Sequence, residues 1–415
     1  MSSFNNDTDE GCVLRILSVN DVYEIDWWPN FSTANKELRK APSLLSPQSK
    51  TTTISVLPGD FLSPSLLGSL DKGKSMVACM NDSGLDYVCI GNHESDIALE
   101  QLHLRIHEST FEWINTNMRG LPVPSDLKSK LPEYKIIEVS NEKGDHVRRI
   151  ALVGLCCEDR SVMKVGAFGG CEIVPLMDAL ISMYIRLVAM NVDCVIPLTH
   201  QLMPLDRLVA AHPDMKLPVI VGGHDHEPYL ETINGCTIIK VGADAKNLGI
   251  IELYWPNKDC AGYTPQVHAV MEPASSYAPC PTMQHTVVKH KAILQELEKS
   301  VLCPISDGVA FSSLGMRLRP NSVGMFVCQT LREEFGAELC LCGAGSIRGN
   351  RSYTGLTSFT YANLKAEIPF DTPMVTLHLP GKVIADMISY TRAPALQKPP
   401  VEKGGYLQTC DAGNH

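Results

Sequence analysis

PVIVGGHDH, residues 218–226, runs from β-branched apolar residues into two glycines and then two histidines separated by one residue. A short β-branched run closed by glycine reads as a buried strand, so the histidines fall where the strand stops. The same construction recurs upstream. LRILSVND (14–21), TISVLPGD (53–60), YVCIGNHE (87–94) and DCVIPLTH (193–200) end in Asp, Glu or His, and IALVGL (150–155) is another run of strand type. Helical spacing lies between several of them, at Ser75–Asn81 and Leu176–Asn191. The alternation predicts an α/β fold with helix-covered sheets. It also places polar residues beyond the strands' carboxyl ends, where such sheets bind ligands.

Those strand ends hold metal-ligand residue types: Asp21, Asp60, Asn92, His93, His200, His224 and His226. Carboxylates, imidazoles and an amide together suit Zn²⁺, Mn²⁺ or Fe²⁺ better than the all-oxygen shells preferred by Mg²⁺ and Ca²⁺. Singly, each motif is ordinary: Gly-Asp is a turn, and a strand-terminal His is usually a satisfied polar group. Five in one chain, in one order, are a different matter.

That order, an Asp-x-His-like start followed by Gly-Asp, Gly-Asn-His-Glu, His and Gly-His-x-His, resembles the calcineurin-like metallophosphoesterases. Within them the chain is similar to the 5′-nucleotidase subgroup, over nearly its whole length. The resemblance implies a two-sheet metallophosphoesterase sandwich flanked by helices, plus a smaller C-terminal α/β nucleotide-binding domain. It implies two divalent ions (Zn, Mn or Fe), one held by Asp21, Tyr23, Asp60 and His226, the other by Asp60, Asn92, His200 and His224, with Asp60 bridging. His93, paired with Asp96, would act at the phosphate, since a carboxylate partner keeps an imidazole cationic. In GMRLRPNSVG (315–324) and GAGSIRG (343–349), Arg317 and Arg348 match arginines that hold phosphate, a role suited to the planar guanidinium fork. Phe370, in IPF (368–370), matches an aromatic that stacks on the base.

The implied activity is hydrolysis of nucleoside monophosphates or related nucleotides by metal-bound hydroxide. A nucleotide phosphodiesterase or general phosphatase is the alternative among enzymes, and a catalytically weakened nucleotide-binding protein the alternative outside them. The chain departs from the family pattern at three places. Tyr23 stands where a histidine is expected, and a tyrosine ligates only as phenolate, from an unperturbed pKa of about 10, though hard Fe³⁺ could stabilise it. Gly343 replaces an asparagine. The last residues, GGYLQTCDAGNH, precede the segment supplying the family's second stacking aromatic, so the C-terminal domain is expected to be truncated.

The 415 residues, at roughly 150 per domain, fit this two-domain reading. The expected division is a disordered 1–12, a metallophosphoesterase domain at 13–284, a linker helix at 285–302 (HTVVKHKAILQELEKSVL) and a substrate domain at 303–415. A further helix is expected at Gly324–Phe335 and a strand at MVTLHLPG (374–381). With 46 acidic against 36 basic residues, a net charge of −10 and no basic cluster, nucleic acid and anionic membranes are excluded as partners. No apolar run approaches a membrane span, and MSSFNNDTDEG lacks the build of a secretory signal, so a soluble, cytoplasmic protein is expected, of undetermined oligomeric state. Fifteen scattered cysteines, an odd number, read as mostly reduced, buried residues rather than a disulfide framework. Trp27-Trp28 reads as a core edge rather than a base-stacking platform. Gly343-Ala344-Gly345 lacks the third glycine of a dinucleotide fingerprint.

Overall fold

All six apolar runs form strands, and they divide between two sheets. In the first, the order is Gln266–Pro273, Asn247–Trp255, Cys12–Ser18, Thr51–Pro58, Tyr87–Cys89 and Glu112–Ile114. Cys12–Ser18 through Glu112–Ile114 run parallel, while Asn247–Trp255 pairs antiparallel on both sides. In the second, the order is Pro228–Ile233, Cys236–Val241, Val219–Gly223, Cys194–His200, Val147–Cys156 and Tyr134–Ser140. Its four central strands are parallel and its two edges antiparallel. The computed structural model describes residues 11–256, 264–306, 308, 310–368 and 374–411.

The two sheets face each other across one apolar layer. Leu14, Ile16, Val56 and Leu253 of the first meet Ile150, Leu152, Ile196, Val221 and Ile239 of the second. On the second sheet's outer face, helices Leu176–Ala189 and Met203–Ala210 bury Leu180, Leu187 and Met203 against Val153, Val195 and Ile220. Strands covered on both sides must be apolar throughout, which is why they read as continuous runs rather than alternating ones. Trp28 is buried edge-on to Phe31 at 5.0 Å, its indole N–H directed at the Met76 sulfur, and so belongs to the core.

The chain divides into two compact units, Met1–Lys291 and Ala292–His415. The linker helix spans Pro281–Lys299. It begins earlier than its apolar spacing suggests because proline suits a helix's first turn. It ends earlier because Val301–Pro304 is drawn into pairing with Ser358–Thr360. The second unit packs Phe311, Tyr353, Phe359 and Val323 into its own core, with Asn321 capping the helix Ser322–Glu334.

MVTLHLPG forms no strand. Residues 374–380 carry no regular structure, Met374, Val375 and Leu377 are exposed, and the helix Gly381–Arg392 begins at the segment's last glycine. Alternation only says that one face could be buried; a strand also needs a neighbour whose backbone it can pair with. The first strand begins at Cys12, inside the stretch expected to be disordered; residues 1–10 lie outside the described residues.

Candidate metal centre

The strand ends of both sheets deliver the expected ligands to one place. Asp21, Asp60 and His224 sit at φ of 52°, 58° and 77°, a left-handed conformation costing a non-glycine residue about 1 kcal/mol or more. Each stands within three residues of a strand's carboxyl end, after Ser18, Pro58 and Gly223. Backbone contacts sustain the arrangement: the amide of His224 donates to Asp21 Oδ2 at 2.8 Å and that of His93 to Asp60 Oδ1 at 2.8 Å. Gly91 and Gly223 are required by this crowding. A Cβ on Gly91 would collide with the Asp60 carboxylate, and one on Gly223 with the Pro58 carbonyl.

His200 is fully buried. Its Nδ1 lies 2.8 Å from the Pro58 carbonyl, which turns Nε2 toward Asn92 Oδ1 at 3.1 Å and Asp60 Oδ2 at 3.0 Å. A histidine anchored through one nitrogen presents the other in a defined direction, as metal ligation requires. Asn92 is oriented in turn by its amide N–H, which donates to the Val162 carbonyl at 3.3 Å. The donor atoms of Asp60, His200 and His224 all lie within 4.8 Å of one another.

Across Asp60 lies the second group. The Tyr23 hydroxyl sits 2.9 Å from His226 Nε2, 3.2 Å from Asp21 Oδ1 and 3.4 Å from Asp60 Oδ2, and His226 reaches Asp21 Oδ1 at 3.5 Å. All seven expected ligand residues are thus together, with Asp60 touching both groups. Burial, reinforced by the charges of Asp60 and Asp21, pushes the Tyr23 phenol well above its ordinary range. Without a bound cation it therefore keeps its proton at neutral pH.

The donor set fits divalent cations. Asp21 and Asp60 are buried, and protons on neighbouring imidazoles offset their charge. Burial opposes charging His200, but Asp60 and then Asp21 outweigh it and raise its pKa to about 10. A hydrogen bond to Asp21 raises His226. Cations at the centre would carry that charge instead, leaving His200 a neutral donor. His93 lies on the rim, with Nδ1 2.8 Å from Asp96 Oδ2; that bond raises the imidazole's pKa. Asp96 thus meets a side chain rather than acting only as a backbone cap.

Two supporting residues were not singled out in the sequence reading. Glu94, fully buried, accepts four backbone N–H groups: Asp60 at 2.9 Å and Gly91 at 2.7 Å on one oxygen, Phe61 at 2.8 Å and Leu62 at 3.1 Å on the other. Lys240, also fully buried, binds the Gln201 carbonyl at 2.6 Å, the Gly223 carbonyl at 2.9 Å, Asp225 at 2.6 Å and Asp206 at 2.9 Å. It clamps the residues that follow His200 and flank His224. The sequence signal for Lys240 is a lone lysine inside the apolar strand Cys236–Val241; Glu94 stands in the quoted GNHE.

Residues 305–412 match the family model of the 5′-nucleotidase C-terminal domain. The 5′-nucleotidase of Bos taurus is 24% identical over 366 residues, covering 79% of this chain and 61% of the relative. In its C-terminal sequence the chain is similar to 5′-nucleotidases, and in its fold it is similar to calcineurin-like phosphoesterases. It spans about three fifths of the length of that relative. Among solved structures, the 5′-nucleotidase precursor of Thermus thermophilus is similar to this chain with a TM-score of 0.62 at 16% identity, over 96% of this chain and 81% of that one. A calcineurin-like phosphoesterase of Bacillus subtilis has a TM-score of 0.54 at 17% identity, over 69% and 98%.

In the second unit, two buried side chains shape the loops bearing the arginines. Gln408 donates to the carbonyls of Met316 and Arg319, at 2.7 and 2.8 Å, on either side of Arg317. The Glu367 carboxylate accepts from Tyr353 at 2.6 Å and from the amide of Gly349 at 3.1 Å, while its carbonyl accepts from the amide of Arg348 at 2.7 Å. Arg348 is exposed and Arg317 half-buried. Phe370 lies outside the described residues. No helix among the described residues is long and apolar enough to cross a membrane.

Proposed function

We propose that this chain is a divalent-metal-dependent hydrolase of phosphate esters, acting on nucleoside monophosphates or related nucleotides. The observation that carries the reading is Asp60, one buried carboxylate shared by two groups of metal-donor side chains. Asp21, Tyr23, Asp60 and His226 would hold one ion, and Asp60, Asn92, His200 and His224 the other. Bound divalent cations supply positive charge to phosphoryl oxygens and lower the pKa of water. Asp60 offers one oxygen toward His200 and Tyr23, while its other oxygen is fixed by the amide of His93. His93, whose protonated form the hydrogen bond to Asp96 favours, would donate a proton to the leaving oxygen. The guanidinium groups of Arg317 and Arg348 would hold phosphate, and Phe370 would stack on the base. Stripping metal with a chelator should abolish release of inorganic phosphate from a nucleoside monophosphate, and restoring Zn²⁺ or Mn²⁺ should recover it. Undiminished hydrolysis after complete stripping would refute the reading.

Arg317→Ala or Arg348→Ala should raise KM for a nucleotide and for a small aryl phosphate alike, because both carry the phosphate that these guanidinium groups would hold. Phe370→Ala should weaken nucleotides alone, by about 1–3 kcal/mol of stacking. An equal effect of Phe370→Ala on both substrates would move a general phosphatase ahead.

Tyr23 is the weak point of its group, since a neutral phenol is a poor donor to Zn²⁺ or Mn²⁺. Tyr23→His should tighten the ion shared by Asp21, Asp60 and His226 and raise activity at limiting metal. Metal titration by calorimetry is the check: two equal sites in the wild type, unchanged in the variant, would contradict it.

A further inference from the structure

Four cysteines of the second unit gather on one face of a small sheet. Leu339–Gly343 pairs antiparallel with Leu407–Asp411, setting Cys340 opposite Cys410 and Cys342 opposite Gln408. Residues two apart on a strand share a face, and directly opposed residues share it too. The helix Ser322–Glu334 lies across that face. Its Gly324 approaches Gln408 so closely that a Cβ would meet the glutamine side chain. One turn on, the buried Cys328 directs its sulfur at the carbonyl of Gln408, 3.5 Å away, the residue directly opposite Cys342, and its strongest electrostatic partners are the thiols of Cys340 and Cys342. Cys340 and Cys342 are half-buried, open to a small reagent in a way that Cys328 is not.

We propose that Cys328, Cys340 and Cys342 form a thiol-oxidation site in which one disulfide joins the helix Ser322–Glu334 to the strand Leu339–Gly343. A low-molecular-weight disulfide such as oxidised glutathione is the oxidant. The thiolate of a strand cysteine attacks one glutathione sulfur, forming a mixed disulfide and expelling a glutathione thiolate. Capping the strand cysteine removes the thiolate that held the Cys328 proton; that proton passes to the expelled glutathione thiolate, and Cys328 attacks the strand cysteine's sulfur, expelling the second glutathione. Two protein thiols are oxidised and one glutathione disulfide is reduced to two thiols. Hydrogen bonding from Cys328 lowers Cys340 to about 7 and Cys342 in the same direction, favouring the strand cysteines as first attackers. Metal binding fits less well. Among the described residues, the group whose three donors mutually approach within 4.8 Å is Asp60, His200 and His224, so this open set suits exchange between sulfurs more than a closed thiolate shell.

The site is independent of the proposed hydrolysis, and its test needs no substrate. The full chain is reduced, incubated with oxidised glutathione, unfolded, alkylated and mapped by peptide mass. Expected is the loss of two alkylatable thiols and a cross-linked peptide joining Cys328 to Cys340 or Cys342. In Cys328→Ala the strand cysteines should remain as glutathione mixed disulfides with no internal bond. Should that variant fail to fold, the double variant Cys340→Ser with Cys342→Ser, at half-buried positions, should leave Cys328 fully alkylatable. Complete alkylation of all three cysteines in the oxidised wild type would overturn the proposal. So would stable glutathione adducts there without an internal bond, or zinc retained stoichiometrically by the wild type and lost in Cys328→Ala.

Discussion

Asp60→Asn should abolish phosphate-ester hydrolysis while leaving the fold in place. The carboxylate is buried, receives the His93 amide at 2.8 Å on Oδ1, and places Oδ2 3.0 Å from His200 and 3.4 Å from the Tyr23 hydroxyl. Asparagine keeps the shape and can still accept from His93. It also tolerates the left-handed backbone at φ 58° at least as well as aspartate. What it lacks is the negative charge that two cations would share, and charge stabilisation at such a centre is worth several kcal/mol. Circular dichroism and thermal melting should match the wild type, while kcat falls below detection. Retention of more than a tenth of the wild-type kcat, a loss of only about 1.4 kcal/mol, would remove Asp60 from the centre of the mechanism.

Glu94→Ala should be among the most destabilising single substitutions in the first unit. Four backbone N–H groups converge on this carboxylate from two loops, three following the strand Thr51–Pro58 and one following Tyr87–Cys89. A buried donor left without a partner costs about 1–3 kcal/mol. Even at the low end, four of them amount to about 4 kcal/mol, a large share of a domain's ordinary stability. Glu94→Gln is the informative control. One amide oxygen can still accept two N–H groups, but the NH₂ group then faces the other two as a donor. A near-isosteric change should therefore still cost about half as much. Urea unfolding followed by tryptophan fluorescence reads both. A cost for Glu94→Ala under about 1 kcal/mol would mean that water readily takes the carboxylate's place.

The strands, the helices and the order of ligands along the chain were legible in the sequence because they depend on local chemistry. A β-branched run ended by Gly-Asp or Gly-His states where a strand stops and which donor follows, and parallel strands covered on both faces must read as apolar runs. The resemblance carried Asp21, Asp60, Asn92, His200, His224 and His226 to their positions, and the two stacked sheets bring them within contact of one another. Local pattern failed at MVTLHLPG, where alternation was present and a pairing neighbour was not. It also said nothing of how Tyr23 would sit; only the approach of two loops over 200 residues apart puts its hydroxyl 2.9 Å from His226. Glu94 and Lys240 acquire their roles in the same way, from donors and acceptors supplied by remote segments. Cys328 meets Cys340 and Cys342 only because a helix crosses one face of a sheet whose second strand arrives more than sixty residues after the first. Sequence encodes what each segment will form. Which side chains then share a few ångströms is decided by how the finished sheets and helices stack, since contacts between distant segments exist only after the chain has closed on itself.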